Sequence, residues 1–179
     1  SVQFYKKSLE FGDYICSILP ISQLNNNQQM YEFDLIHSED LKPQLYSNTK
    51  VHCCFNIYKR NENGYNNKPN YKLTDVVIKE VRSKLDKDNK RQDLDGYDLR
   101  LLAWGTATNN RNIGCLLTEE DKLYAKEFYI KINNHNHKDK VVQVLKGVKW
   151  EELYPMTATP NLLQWQVYKY LKEKIPELE

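Results

Sequence analysis

The sequence lacks the motifs that identify the commonest enzyme classes. Its six glycines are scattered and form neither a phosphate-cradling loop nor a dinucleotide-binding fingerprint. No serine lies in a Gly-x-Ser-x-Gly nucleophile elbow. The residues by themselves therefore do not indicate a phosphate-loop enzyme, a dinucleotide-dependent enzyme or a serine hydrolase.

Cysteine is also sparse. The chain has four cysteines, at positions 16, 53, 54 and 115, without the pattern of a disulfide scaffold. Cys53 and Cys54 are expected on opposite faces of a strand, so they cannot easily share one metal with His52. His135-Asn136-His137 resembles a metal-binding run only in its letters and is interpreted as a polar turn. We predict no metal site and a reducing, cytoplasmic environment.

Long apolar runs and a charge excess are missing as well. No run approaches the roughly 18 apolar residues that span a bilayer, and the first residues do not form a signal peptide. Lys and Arg total 26 against 24 Asp and Glu, which gives a net charge of +2. We therefore expect no membrane partner, and any nucleic-acid site must depend on local patches of charge. With 40% apolar residues and 13 Tyr, the chain is expected to fold.

The first sixty residues show an α/β pattern. The spacing of apolar residues predicts a helix over 2–10, which places the start of the chain at or inside a helix, and an upstream segment is expected. The nearly unbroken apolar run at 14–19 predicts a strand buried on both faces, as in a parallel sheet covered by helices. A charge placed at Ile18 is then expected to prevent folding. A short helix is predicted over 22–29, followed by strands over 32–36 and 51–58.

The remainder of the chain is more irregular. Residues 59–72 are predicted to form a polar loop or linker, because the segment is polar and is interrupted by Gly and Pro. Strands are predicted over 75–81, 98–104 and 112–117, whereas 118–132 fits either a helix start or a strand. Helices are predicted over 138–148 and near the carboxyl end, the latter capped by Thr159, with Pro160 in its first turn, and ended by Pro176.

The block Phe-Tyr-Lys-Lys-Ser-Leu-Glu-Phe at 4–11, followed by Asp-Tyr-Ile at 13–15 and Ile-Leu-Pro-Ile-Ser at 18–22, resembles the Rossmann-like DNA methyltransferases of the adenine-N6 class. The closing stretches of the chain, 150–160 and 172–178, are similar to the carboxyl-terminal end of a phage- and plasmid-type subgroup of these enzymes. The matching stretches are 4–11, 13–15, 18–22, 33–36, 39–41, 50–60, 150–160 and 172–178. The likeness is strong over 2–60 and loose over 75–150.

The resemblance implies an α/β fold with three parts. Residues 1–60 would form the second half of a Rossmann-like methyltransferase sheet, whose later strands make a hairpin at one sheet edge. Residues 61–72 would be a polar linker, and 73–179 an adjoining α+β region of the target-recognition kind. The family's donor-binding loop and its Asn-Pro-Pro-aromatic catalytic loop lie upstream of Ser1. S-adenosylmethionine is thus the cofactor implied for the complete protein, and neither its binding nor a catalytic residue is assigned to this chain.

The resemblance also implies contacts with double-stranded DNA. Tyr46 occupies the place of an aromatic residue that stacks on an extruded adenine, with a mere cover for the end of the sheet as the alternative. Phosphate or base contacts are expected from basic and amide side chains, each of which could instead belong to a solvated polar face. These residues are Lys50, Lys59, Arg60, Arg82, Lys84, Arg91, Asn109, Asn110 and Arg111.

Two functions remain open from the sequence. The first is the target-side portion of an adenine-specific DNA methyltransferase, completed by an upstream segment. The second is a non-catalytic, methyltransferase-derived module that binds DNA or a protein partner.

Overall fold

The structure, a computed structural model, describes residues 2–8, 10–82, 96–105, 112–156 and 159–179. Its helices and strands, in chain order, are α1 (Val2–Ser8), β1 (Tyr14–Pro20), β2 (Phe33–Tyr46), β3 (Thr49–Arg60), β4 (Val76–Arg82), β5 (Leu99–Leu102), β6 (Leu116–Leu117), β7 (Lys126–Ile132), α2 (Lys138–Leu145), α3 (Trp150–Leu153) and α4 (Gln164–Lys174). They form two compact units, one of residues 1–70 with 154–157 and one of residues 71–153 with 158–179. The molecule is a mixture of helices and strands.

The first unit is built on a three-stranded antiparallel sheet in the order β1-β3-β2. One face of the sheet carries a small core in which Ile15, Met30, Phe33 and Tyr58 are buried. Tyr5 of α1 packs against this cluster, which explains why the short amphipathic helix lies there. Burial of these apolar side chains is what holds the first unit together.

The expected burial of β1 on both faces is wrong. Ile15 is buried, but Tyr14, Cys16 and Ile18 on the opposite face are exposed, Ile18 by 67%. The parallel sheet expected for this half is not found among the described residues, where β1 pairs only with the antiparallel β3. An apolar run alone does not distinguish a strand buried on both faces from an edge strand with one exposed apolar face.

The helix predicted over 22–29 is also wrong, because only Ile21–Gln23 forms a short 3-10 helix. Asn25 then adopts a left-handed conformation with φ of 50°. The Asn26 side chain accepts a hydrogen bond from the Gln28 amide, at 3.0 Å. Asn side chains compete with helical hydrogen bonds in this way, and the segment becomes a series of turns.

The second unit contains a four-stranded antiparallel sheet in the order β4-β7-β5-β6. The ambiguous segment 118–132 resolves as a strand over its second half, β7, which is the central and most buried strand. Helix α4 is tied to the sheet by the Tyr168 hydroxyl, which accepts a hydrogen bond from the Ile78 amide at 2.7 Å. Gly114, at φ of 74°, has no room for a side chain because a Cβ would lie 2.0 Å from Trp150.

The last helix begins later than predicted. Its N-cap is Leu163 rather than Thr159, because the preceding backbone is committed to the sheet. Trp104 forms a β-bridge with Asn161, and the Leu162 amide donates to the Ala103 carbonyl at 2.9 Å. Within the described ranges, no helix combines the length and the apolar character needed to cross a bilayer.

Candidate nucleic-acid interface

The candidate site is the outer part of the β2–β3 hairpin, residues 41–52, which we call the hairpin arm. β1 pairs with β3 only from Cys53 to Lys59. Beyond Cys53 the ribbon therefore has two strands and no third neighbour among the described residues. Every residue from 42 to 50 is exposed, so the arm projects from the sheet with both faces open to solvent.

Asp40 holds the base of the arm. Its carboxylate accepts hydrogen bonds from the Lys42 amide at 2.8 Å, the Lys42 ammonium at 2.9 Å and His52 Nε2 at 2.7 Å. The strand pairing is irregular here, between Asp40 and Pro43, and Lys42 has a φ of 60°. The hydrogen bonds from the Lys42 side chain and from His52 hold the pKa of Asp40 well below its usual range. The ionised carboxylate thus stabilises an irregular backbone that would otherwise be strained.

The end of the arm is a tight two-residue turn. Tyr46 pairs with Thr49, and the intervening Ser47 and Asn48 have φ values of 45° and 65°. Two consecutive left-handed residues are typical of the type I′ hairpin turn, whose twist matches that of the flanking strands. Asn is among the few residue types that tolerate this conformation, so the sequence suits the turn locally.

The two faces of the arm differ in chemistry. Side chains alternate along each strand and directly paired residues share a face. Tyr46 therefore lies with Thr49 on one face, and Leu45 lies with Lys50 on the other. Leu45 and Tyr46 are each 74% exposed.

The structure thus brings two of the predicted DNA-binding residues to one place. Tyr46 and Lys50 lie at the same end of the hairpin but on opposite faces of the ribbon. Tyr46 is too exposed to be a cover for the end of the sheet. Its ring is accessible to a stacking partner.

Lys59 and Arg60 lie at the other end of β3. Lys59 lies nine residue steps along the extended strand from Lys50, which corresponds to about 30 Å. The Lys59 ammonium is 3.1 Å from Glu62, and that hydrogen bond raises the pKa of Lys59. Arg60 lies 3.4 Å from Asp13. These two cations are therefore remote from Tyr46 and are already engaged in ion pairs.

The other predicted contacts belong to the second unit. Arg82 ends β4 and is exposed, with its Nε 2.7 Å from Glu80. The further predicted residues, Lys84, Arg91, Asn109, Asn110 and Arg111, lie outside the described residues. No single surface joining all the predicted cations is therefore described.

Sequence reasoning missed a buried polar network in the second unit. The Arg100 guanidinium donates to the fully buried Glu127 at 3.2 Å and to the Thr118 carbonyl at 2.7 Å. The buried Lys126 ammonium donates to Asn161 and lies 3.2 Å from Glu80. Desolvation lowers the pKa of Lys126. These hydrogen bonds and ion pairs connect loops to the sheet. The alternation of residues in β7 does not predict that its first two residues, Lys126 and Glu127, are both buried.

The clefts described in the second unit do not have the glycine lining that the family's donor-binding loop would supply. Three clefts are described in the second unit; one of them, with a volume of about 480 Å³, is lined by Asp98, Arg100 and Tyr129 among others. None of the three is lined by glycine, the residue that allows a backbone to approach a ligand closely. No group of three potential metal ligands occurs in the described parts of the chain. The candidate site among the described residues is therefore the projecting surface of the hairpin arm.

We compared the chain with protein-family models, curated proteins and solved structures. No protein-family model, curated protein or solved structure was found to match the chain.

Proposed function

We propose that this chain is the target-side portion of an S-adenosylmethionine-dependent, adenine-specific DNA methyltransferase and contacts DNA through the hairpin arm. The observation that carries the proposal is the position of Tyr46 at the exposed end of a long hairpin at one edge of the first sheet. A hairpin at a sheet edge is what the resemblance to adenine methyltransferases implies for this part of the chain. In this proposal the methyl donor and the transfer chemistry are supplied by residues outside these 179.

Tyr46 is proposed to stack on an adenine extruded from the duplex. Enzymes that modify a base take it out of the helix and hold it against aromatic or apolar side chains. The Tyr46 ring is exposed, and its neighbour Thr49 on the same face is small. A base could approach this ring without displacing another large side chain of the arm.

The test compares Tyr46→Ala with the parent chain on duplexes that hold an abasic or mismatched site next to adenine, where extruding the adenine costs little free energy. Stacking on one base contributes roughly 1–3 kcal/mol, so the dissociation constant should rise by about 5- to 150-fold. The salt dependence of binding should not change, because it reports phosphate contacts. Fluorescence anisotropy titrations at several salt concentrations measure both quantities.

Tyr65→Ala is the matched control, since Tyr65 is also an exposed tyrosine of the first unit, at 54%. It should bind these duplexes like the parent. Equal losses in both variants, or no binding of the parent at low salt, would contradict the proposal.

The second candidate is a non-catalytic, methyltransferase-derived module that binds DNA or a protein. It is favoured by the lining of the three clefts described in the second unit, none of which includes glycine. The coding sequence upstream of Ser1 distinguishes the two. An Asn-Pro-Pro-aromatic motif encoded there supports the enzyme, and a start codon at this point supports the module.

A further inference from the structure

We propose that the hairpin arm enters the major groove of duplex DNA tip first and that Asn48 hydrogen-bonds to base edges there. This inference rests on the proposed function for its DNA partner and adds a residue that reads sequence. It is carried by the dimensions of the arm, by its charge and by the chemistry of its turn.

The dimensions of the arm suit the major groove. Its two strands lie about 4.8 Å apart, as in any β-sheet. The groove is roughly 12 Å wide and 8.5 Å deep and admits a two-stranded ribbon. From Pro43 to Tyr46 the exposed strand advances three residues, or about 10 Å. A tip-first ribbon of this length reaches the floor of the groove before the wider, three-stranded part of the sheet meets the phosphates.

The charge of the arm also suits DNA. Residues 41–52 contain two lysines, Lys42 and Lys50, and no aspartate or glutamate. Asp40, at the base of the arm, is hydrogen-bonded by Lys42 and His52. Lys50 has no ion-pair partner among the described residues, and it directly follows Thr49 at the end of the arm. A long cationic side chain at this position suits a phosphate, whose contacts orient a protein without reading sequence.

The turn places three consecutive polar side chains at the tip. Ser47, Asn48 and Thr49 are all exposed. Within the described parts of the chain, no hydrogen bond engages the Asn48 side chain, so its amide is available to a ligand. An Asn amide can donate to N7 and accept from N6 of adenine in the major groove. Leu45 and Tyr46, beside the turn, supply apolar surface for a thymine methyl group or a base face.

Selection from a pool of randomised duplexes tests the role of Asn48. The parent chain should enrich a motif that contains adenine, and Asn48→Gly should lose the preference at one base pair. The expected loss of discrimination is about 5- to 150-fold, the range for a bidentate contact. Glycine suits the left-handed conformation of position 48 at least as well as asparagine, so this variant removes the amide and preserves the turn.

Asn25→Gly is the matched control, because Asn25 is likewise an exposed, left-handed asparagine of the first unit. It should enrich the same motif as the parent. Competition with methyl green, which occupies the major groove, should displace the chain, and competition with netropsin, which occupies the minor groove, should not.

The outcomes separate this inference from the proposed function. If the parent binds duplexes but Asn48→Gly enriches the same motif, or if netropsin alone displaces the chain, the groove assignment is overturned while DNA binding stands. If the parent binds no duplex at any salt concentration, both proposals fail, and a protein partner for the arm becomes the better explanation.

Discussion

Asp40 links the regular part of the hairpin to the arm that projects from it. The carboxylate is held by Lys42 and His52 at a point where the strand pairing is irregular. Because these hydrogen bonds favour the ionised form, the pKa of Asp40 is lower in the folded chain than in the unfolded chain. The stabilisation that Asp40 provides is therefore fully present above the unfolded pKa of about 3.9 and is lost as the pH falls through the folded value.

Replacing Asp40 with Asn should lower the urea midpoint of unfolding at pH 7, since the ionised acceptor of Lys42 and His52 is removed. The difference between variant and parent should shrink as the pH falls below about 4, because Asp40 then takes up a proton in the unfolded parent while it stays ionised in the folded parent. Urea titrations at a series of pH values measure this.

Glu39→Gln serves as the control for the loss of a negative charge. Glu39 neighbours Asp40 and is more exposed, and its carboxylate lies 3.5 Å from His37 Nε2. The midpoint of this variant should stay close to that of the parent throughout. A constant deficit of Asp40→Asn down to pH 2 would contradict the role given to its ionisation.

At the scale of the element, β1 has two unlike faces. Ile15 and the half-buried Leu19 face the small core, whereas Ile18 is on the exposed face of the same strand. The strand therefore contributes to stability through alternate residues, although its sequence is apolar on both sides. This alternation separates the effects of two otherwise identical substitutions.

Ile15→Asp should destabilise the first unit by roughly 3 kcal/mol or more, because it buries an unpaired charge among Met30, Phe33 and Tyr58. Ile18→Asp should cost about 1 kcal/mol or less, since its carboxylate remains in water. Urea denaturation followed by circular dichroism measures both. Similar losses in the two variants would mean that the Ile18 face is covered in solution.

At the scale of the whole molecule, the clefts and the projecting arm belong to different units. The three clefts are formed by residues of the second unit, and the arm with Tyr46 belongs to the first. The net charge of +2 attracts DNA only weakly. Binding by this chain is therefore expected to depend on a local surface.

The purified chain should bind no S-adenosylmethionine, because none of the three clefts described in the second unit is lined by glycine and the proposed function assigns the methyl donor to residues outside these 179. Isothermal titration calorimetry should show only the heat of dilution. A dissociation constant in the micromolar range would overturn this assignment of the donor site.

The sequence by itself determined the features that depend on neighbouring residues. The alternation over 51–58 correctly predicted strand β3, and apolar spacing predicted helices α1 and α2. Ser47 and Asn48 suit the left-handed turn that they form. These features are readable because strand period, helix period and turn conformation are set by local sterics and hydrogen bonding.

Only the tertiary structure decided which faces are buried and how far the hairpin extends. An apolar Ile18 can be exposed, and Lys126 and Glu127 can be buried, because burial depends on partners that are distant in sequence. For the same reason the resemblance placed Tyr46 shortly before Lys50 but did not show that it ends a projecting arm about 30 Å from Lys59. Strand pairing joins residues that are distant in sequence, because β3 pairs with β1 along one edge and with β2 along the other. The arm begins at the point where β1 ends and β3 is left paired with β2 alone.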